Sequence, residues 1–298
     1  MTGGAQAPHG VTGLLVIDKE PGWTSHDVVA RVRSVFGQRR AGHAGTLDPD
    51  ATGVLLVGLG RVTRLLRFLT GLSKEYTCEI VLGVATHTLD ASGSVVGEWD
   101  MGSVSLDDAR AAAAALTGRI VQVPPMVSAV KVGGRRLHTL ARRGVEVERP
   151  ARTVHVERFE LAAGDEPGVL RARVECSAGT YVRVLAADLG TALGGGAHLR
   201  ALRRTRVGSF SVDEAHHVGD LGPGDLISPA DALRDLDHLQ VPPATAADVA
   251  RGLPLDRVPI GATGAGPWAL VDGDGRLLAV YESTGTDRIR PAVVLAAR

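Results

Sequence analysis

Residues 41–60 read AGHAGTLDPDATGVLLVGLG, and among the side chains in them suited to chemistry is the carboxylate of Asp48. Pro49 pushes Asp48 out of the helical region, so an extended segment must carry it. Gly42, Gly45 and Gly53 permit tight turns and close approach of another backbone or a ligand. From these residues alone two readings stand open. Asp48 shapes a turn, as aspartate often does beside glycine, or the chain bends there to present one carboxylate. Other chemical signatures are missing from the sequence. It has no G-x-x-x-x-G-K-[ST] phosphate loop and no G-x-G-x-x-G between a strand and a helix. A G-x-S-x-G elbow is also missing. The ten histidines are scattered, and the adjacent His216–His217 pair lacks Cys or acidic partners at metal-ligand spacing, so neither a structural metal nor a cofactor is expected.

The elements that must position Asp48 are legible from patterning. GLLVID (13–18) reads as a buried strand, and TSHDVVARVRSVFG follows as a helix. Thr24 and Asp27 form its capping box, Val28, Val29, Val32, Val35 and Phe36 its apolar face, and Gly37 its stop. After the Asp48 stretch, VTRLLRFL is a short helix. KEYTCEIVLG is a strand with Tyr76, Cys78, Ile80 and Leu82 on one face. SLDDARAAAAAL is a helix capped by Ser105 and Asp108. VSAVKVGGRRLHTLARRG reads as strand, Gly-Gly turn and helix. ARTVHVERFELA and VLRARVECSAG are alternating strands, expected as antiparallel neighbours, and TYVRVLAADLGTAL is a helix opening from the second. Strands and helices mix without a repeating strand-helix unit, which favours an α+β fold. From about residue 240 prolines punctuate a connector. PWALVDGDGRLLAVYES then reads as two strands around a Gly-Asp-Gly turn, with RPAVVLAA as a third. We therefore expect a flexible tail over 1–10, a main domain over 11–238 and a small β-domain over 239–298.

Composition narrows the class. The chain has 298 residues, 44% hydrophobic and 22% charged, as in soluble globular proteins. No apolar run reaches a membrane span of roughly 18 residues, and the opening MTGGAQAPHG lacks a signal-peptide pattern. Cys78 and Cys176 cannot build a disulfide framework and read as reduced core residues of a cytoplasmic protein. The formal charge is zero, with 33 cationic and 33 acidic side chains. Its distribution is uneven. Arg31, Arg33, Arg39, Arg40, Arg61, Arg64 and Arg67 face only Asp48 and Asp50 within residues 31–67. HLRALRRTRVG adds Arg200, Arg203, Arg204 and Arg206 with no acid among them. Lysine occurs only at 19, 74 and 131, so 30 of the 33 cations are arginine, the side chain suited to bidentate phosphate contacts. The clustering points to a polyanion.

The string GHAGTLDPDATG resembles the signature of the TruB-type tRNA pseudouridine-55 synthases, in which the Asp of the G-x-L-D-P segment is catalytic. The resemblance continues in family order. LLVIDKEPGWTSHDVV is similar to the first family motif and KEYTCEIVLG to the second. QVPPMVSAVKVGGRRLHTLARRG resembles the P-P-x-x-S-A-x-K segment, CSAGTYVRVLAADLG the G-T-Y-[IV]-R motif, and GGGAHLRALRRTRVGSF the close of the catalytic domain. The match spans about residues 13–212. It implies a pseudouridine synthase fold with a mixed or antiparallel central sheet flanked by helices and a terminal domain of the PUA kind. It also implies a cofactor-free, monomeric, cytoplasmic enzyme acting on the T-arm stem-loop of tRNA without an obligate protein partner. By the same resemblance Asp48 starts glycosidic cleavage, Arg183 pairs with it, and Tyr76 stacks on the target base with its hydroxyl available to assist proton movement. Tyr181 packs in the same pocket, Lys19 supports the Asp48 loop, and His43 fills the space left by the flipped nucleotide. Gly42, Gly45 and Leu202 complete the implied substrate contacts.

Several positions depart from the family pattern. Glu20 stands where proline usually follows Lys19. Asp50 replaces an apolar residue, His87 an acidic one, Val127 an aromatic and His138 a tyrosine. Glu20 and Asp50 add negative charge near the RNA path. Two rival readings are a guide-RNA-dependent pseudouridine synthase, which needs protein partners, and a non-catalytic RNA chaperone.

Overall fold

The computed structural model describes residues 10–126, 131–132, 135–136 and 147–295. Strands β1 (Gly13–Lys19), β2 (Ala41–Ala44), β3 (Thr52–Leu59) and β4 (Lys74–Leu82) are followed by the hairpin of β5 (Val84–Thr86) and β6 (Val95–Glu98). Next come β7 (Gly118–Gln122), the short pair β8 (Lys131–Val132) and β9 (Arg135–Arg136), β10 (Arg152–Ala163) and β11 (Val169–Cys176). β12 (Ala197–Val207), β13 (Phe210–Ser211) and β14 (His216–His217) complete the main unit. The terminal sheet is built from β15 (Asp237–Gln240), β16 (Leu255–Asp256), β17 (Trp268–Val271), β18 (Leu277–Thr284) and β19 (Arg288–Val294). The described helices are α1 (Ser25–Val35), α2 (Leu66–Thr70), α3 (Leu106–Ala115), α4 (Val182–Ala192) and α5 (Pro243–Arg251).

The central sheet has ten strands in the order β14-β1-β3-β12-β4-β11-β10-β7, with β2 beside β3 and β13 beside β12. The β1–β14 and β3–β12 pairs are parallel and the others antiparallel, giving the mixed sheet of an α+β fold. β10 and β11 are antiparallel neighbours, as their alternation requires, with Phe159 opposite Val174. One face of the sheet is covered by α1, α3 and α4. Val28, Val32, Ala109, Ala113, Leu185 and Leu189 pack there against Ile17, Val57, Ile80 and Val174. β1 is buried on both faces: Leu15 and Ile17 meet the helices, while Leu14 and Val16 turn to a second core. That core is shared with the terminal sheet through Val271, Val280 and Val293. Each such side chain contributes about 1.5–3 kcal/mol on full burial, so the seam holds the terminal sheet against β1 and β3.

Three local readings need correction. Val35 is 37% exposed rather than part of the α1 face, because the core stripe closes at Val32. The single helix expected from VTRLLRFL is a 3-10 turn over Gly60–Arg64 followed by the five-residue α2. Gly60 sits at φ +60° and no side chain caps either piece, so the chain tightens before it coils. Residues 135–136 are extended and pair with 131–132, where the sequence placed the start of a helix. The rest of that expected helix, with Val127 and His138, lies outside the described residues.

Candidate active site

Asp48 sits in the loop between β2 and β3, and this loop is pinned from both flanks. On one side Lys19, fully buried, donates from Nζ to the carbonyls of Glu20, Trp23 and Pro49 at 2.9, 2.8 and 2.8 Å. Burial lowers its pKa to about 8. Ser25, at the start of α1, accepts from Leu47 N at 2.9 Å and donates back to Leu47 O at 3.2 Å. On the other side Arg204, 1% exposed, donates to Val54 O at 2.7 Å and Gly45 O at 3.1 Å. Buried carbonyls demand donors, and here two buried cations supply them. Gly53, at φ +97°, lets β3 lie against β12, where an added Cβ would stand 2.1 Å from Arg204 O. The turn is closed by the backbone of Asp48, whose carbonyl accepts from Ala51 N at 3.2 Å. The carboxylate is thereby left for other work.

Its partner is Arg183, on the first turn of α4. Arg183 is 5% exposed and donates Nη2 to Asp48 Oδ2, while the Asp48 side chain remains 45% exposed. Arg183 Nη1 pairs with Asp90 Oδ2 at 3.1 Å. Asp90 is itself held through Oδ1 by the hydroxyls of Thr88 and Ser92, both at 2.6 Å. A buried guanidinium is tolerated only when its charge is matched and its donors are used, and two carboxylates do this. Asp90 carries no mark of this role in the sequence. Its D-A-S-G context reads as a turn, and only the fold brings it to Arg183. Arg204 was equally hidden, because it looked like one more member of a basic cluster.

A cleft of about 380 Å³ opens over Asp48, walled by Tyr76, Tyr181, Lys74, Leu202, Gly45 and Arg204. Tyr76 projects from β4, where it pairs with Val174 on β11 and Arg204 on β12. Burial pushes its phenol pKa up, so the hydroxyl stays protonated and can donate. Tyr181 is the N-cap residue of α4, fixed by its N–H donating to Gln122 Oε1 at 3.0 Å. Lys74 donates to Thr70 O and Leu72 O at 2.7 and 2.6 Å, and burial lowers its pKa to about 8. Thus Asp48, Arg183, Tyr76, Tyr181, Gly45 and Leu202 meet in one place. Lys19, Gly42 and His43 stand outside the cleft wall. Lys19 lies beneath the loop. Gly42 pairs with Gly58 across β3, and His43 packs edge-on against His26 with ring centroids 5.3 Å apart.

The two arginine clusters differ. Arg31 and Arg39 are exposed and make no ion pair among the described residues, and Arg40 reaches only Thr63 Oγ1 at 3.0 Å. Of the second cluster, Arg204 is spent on the carbonyls of the Asp48 loop, and the other three are paired with acids. Arg200 pairs with Glu79 and Glu166, Arg203 with Asp18, and Arg206 with Glu75 and Glu175. Glu75 and Glu79 lie on the adjacent β4, Glu175 on β11, Asp18 on β1 and Glu166 in the turn between β10 and β11, so the sequence placed phosphates where the fold supplies carboxylates. Among the described residues no group of His, Cys, Asp or Glu could hold a metal ion, and no helix is long and apolar enough to cross a membrane.

Comparison with known proteins gives the family. The model of the TruB family pseudouridylate synthase N-terminal domain matches residues 33–182, and that of the tRNA pseudouridylate synthase B C-terminal domain matches residues 183–233. The chain is 44% identical to tRNA pseudouridine synthase B of Mycobacterium tuberculosis (strain ATCC 25618 / H37Rv) over 294 residues, covering 95% of each chain. It is 47% identical to the protein of that name in Rhodococcus jostii (strain RHA1) over 280 residues, covering 92% of this chain and 90% of the other. Among solved structures, a Cbf5-Nop10-Gar1 complex matches with a TM-score of 0.74 and 29% identity over 94% of this chain and 83% of that one. With consecutive domain models matched and relatives this similar along nearly its whole length, the chain belongs to the TruB family of pseudouridylate synthases.

Proposed function

We propose that this enzyme isomerises uridine-55 in the T loop of tRNA to pseudouridine, as a cytoplasmic monomer without cofactor. The observation that carries the reading is the Asp48 carboxylate, half open to the cleft and held from behind by the buried Arg183. In the reaction the N1–C1′ bond breaks and a C5–C1′ bond forms. The C5 proton leaves to water, N1 takes up a proton, and no atom is gained or lost. Asp48 starts the cleavage, acting as nucleophile or base. Tyr76 stacks on the detached base and offers its hydroxyl to the moving proton, and Tyr181 and Leu202 close the pocket. A uridine within a folded loop reaches such a site only by leaving its stack. His43, next to the Asp48 loop on β2, takes the vacated space, and Gly42 keeps that strand slim. Lys19 acts through the loop it holds.

The exposed Arg31, Arg39 and Arg40 receive RNA phosphates. Residues 11–238 form the catalytic domain, and 239–298 form a PUA-like RNA-binding domain. The latter carries six arginines against six acids, so it binds RNA through local contacts rather than by a positive field. Identities of 44–47% to bacterial tRNA pseudouridine synthases B favour a stand-alone enzyme over a guide-dependent one.

Tritium release from C5-labelled uridine in a T-arm stem-loop RNA tests this, using the pure protein alone. Release by wild type and none by Asp48→Asn, with RNA affinity retained, is the expected result. An RNA that binds without release would overturn the stand-alone activity and turn attention to guide RNA and protein partners.

A further inference from the structure

Asp50, which departs from the family pattern, is left without a task by the proposed mechanism. A second cavity of about 380 Å³ shares Asp48, Arg183 and Leu202 with the uridine cleft and continues past them to Asp50, Asp90 and Leu199. The catalytic ion pair therefore borders both spaces. The second is in the size range of small-ligand sites, and Leu199, Leu202, Ala91 and Ala201 give it apolar walls. Its polar groups are mostly occupied. Asp90 uses both oxygens on Arg183, Thr88 and Ser92, and Arg200 is paired with Glu79 and Glu166. Asp50 is the exception: it is exposed, accepts no hydrogen bond and makes no ion pair among the described residues. It also borders the wider groove that runs along β4, β11 and β12.

A bare carboxylate beside an RNA-binding cleft repels phosphates, and it is tolerated there when it meets a donor. On RNA the donors within reach of a loop-binding protein are splayed base edges. Carboxylates accept from exocyclic amino groups. Cytosine, adenine and guanine carry one, and uracil does not. Resting on the proposed activity, we infer that the second cavity takes the base flanking the target uridine and that Asp50 selects one bearing an exocyclic amino group.

The test is kcat/KM for stem-loop RNAs carrying each of the four bases at either flank of the target, for wild type, Asp50→Asn and Asp50→Leu. Comparing enzymes on the same RNAs cancels the effect of each base on the loop's own fold. At one flank the preference for amino-bearing bases over uracil is expected to fall roughly tenfold in Asp50→Leu, with Asp50→Asn, which keeps an acceptor oxygen, in between. Equal improvement on all RNAs would overturn the inference, since Asp50 would then only repel the backbone. A preference left unchanged, with or without a fall in melting temperature, would also overturn it. Asp50 would then serve only Lys19, whose ammonium it helps keep charged. Wild type that turns over no RNA would overturn the proposed activity itself, and this inference with it.

Discussion

Arg183 joins Asp48 to Asp90: one guanidinium, 5% exposed, gives Nη2 to the first carboxylate and Nη1 to the second at 3.1 Å. The two acids are 42 positions apart in sequence and lie on unrelated loops. The arginine reaches both because α4 starts directly after β11, at the edge of the cleft. The arrangement fixes the direction of one Asp48 oxygen and leaves the other turned to solvent.

Lysine at this position tests the geometry rather than the charge. A single ammonium is a point donor and cannot span two carboxylates as a planar fork does. Arg183→Lys and Arg183→Ala are both expected to lose about 10²-fold or more in kcat, the scale found when a preorganised charge partner is removed. RNA dissociation constants should stay within about twofold, since a half-exposed Asp48 makes few RNA contacts before the base enters. Single-turnover rates and filter binding read the two quantities separately. A melting temperature that collapses in Arg183→Lys would instead mark the triplet as structural.

How much of this was legible in the sequence follows from the range of each signal. The α1 capping box of Thr24 and Asp27, the antiparallel β10–β11 pair and the Tyr76 face of β4 are local patterns, and the structure has all three. Asp48 was marked by its glycines and proline, and the motif resemblance named Arg183 as its partner. Asp90 and Arg204 had no such mark, because their roles arise from strand register and loop placement. The charge of HLRALRRTRVG misled for the same reason. Three of its five acids, Asp18, Glu75 and Glu79, lie more than 100 residues upstream and arrive only when β1, β3 and β4 assemble with β12.

The contrast between the two arginine clusters gives a salt experiment. Each phosphate contact adds about 0.7–0.9 to the slope of log affinity against log salt. Arg31→Ala and Arg39→Ala, both exposed and without an ion pair among the described residues, should each lower that slope by roughly one contact. Arg200→Ala and Arg206→Ala should leave the slope unchanged, because Glu79, Glu166, Glu75 and Glu175 already hold their charges. Titrations of a T-arm RNA from low to physiological salt would distinguish the clusters. Equal slopes for all four variants would show that the RNA path is misplaced.

Lys19 makes a prediction about alkaline pH. Its folded pKa, about 8, lies below the 10.5 of a free lysine side chain. Between those values the unfolded chain binds the proton and the folded chain does not. Stability rises with pH wherever the unfolded state holds more protons, so the Lys19 contribution to stability increases from pH 8 toward 10.5. Over the same window the neutral amine has two N–H groups for the three carbonyls of Glu20, Trp23 and Pro49, and the Asp48 loop loses one tie. The stability of wild type minus that of Lys19→Met should therefore increase as pH rises, while wild-type turnover falls. Urea unfolding of both proteins at pH 7.5, 8.5 and 9.5 checks the first part, since Lys74 titrates alike in each and cancels in the comparison. A gap that stays constant would mean that Lys19 remains charged throughout. The three carbonyls would then outweigh its burial, and the loop would keep its grip on Asp48 across the range.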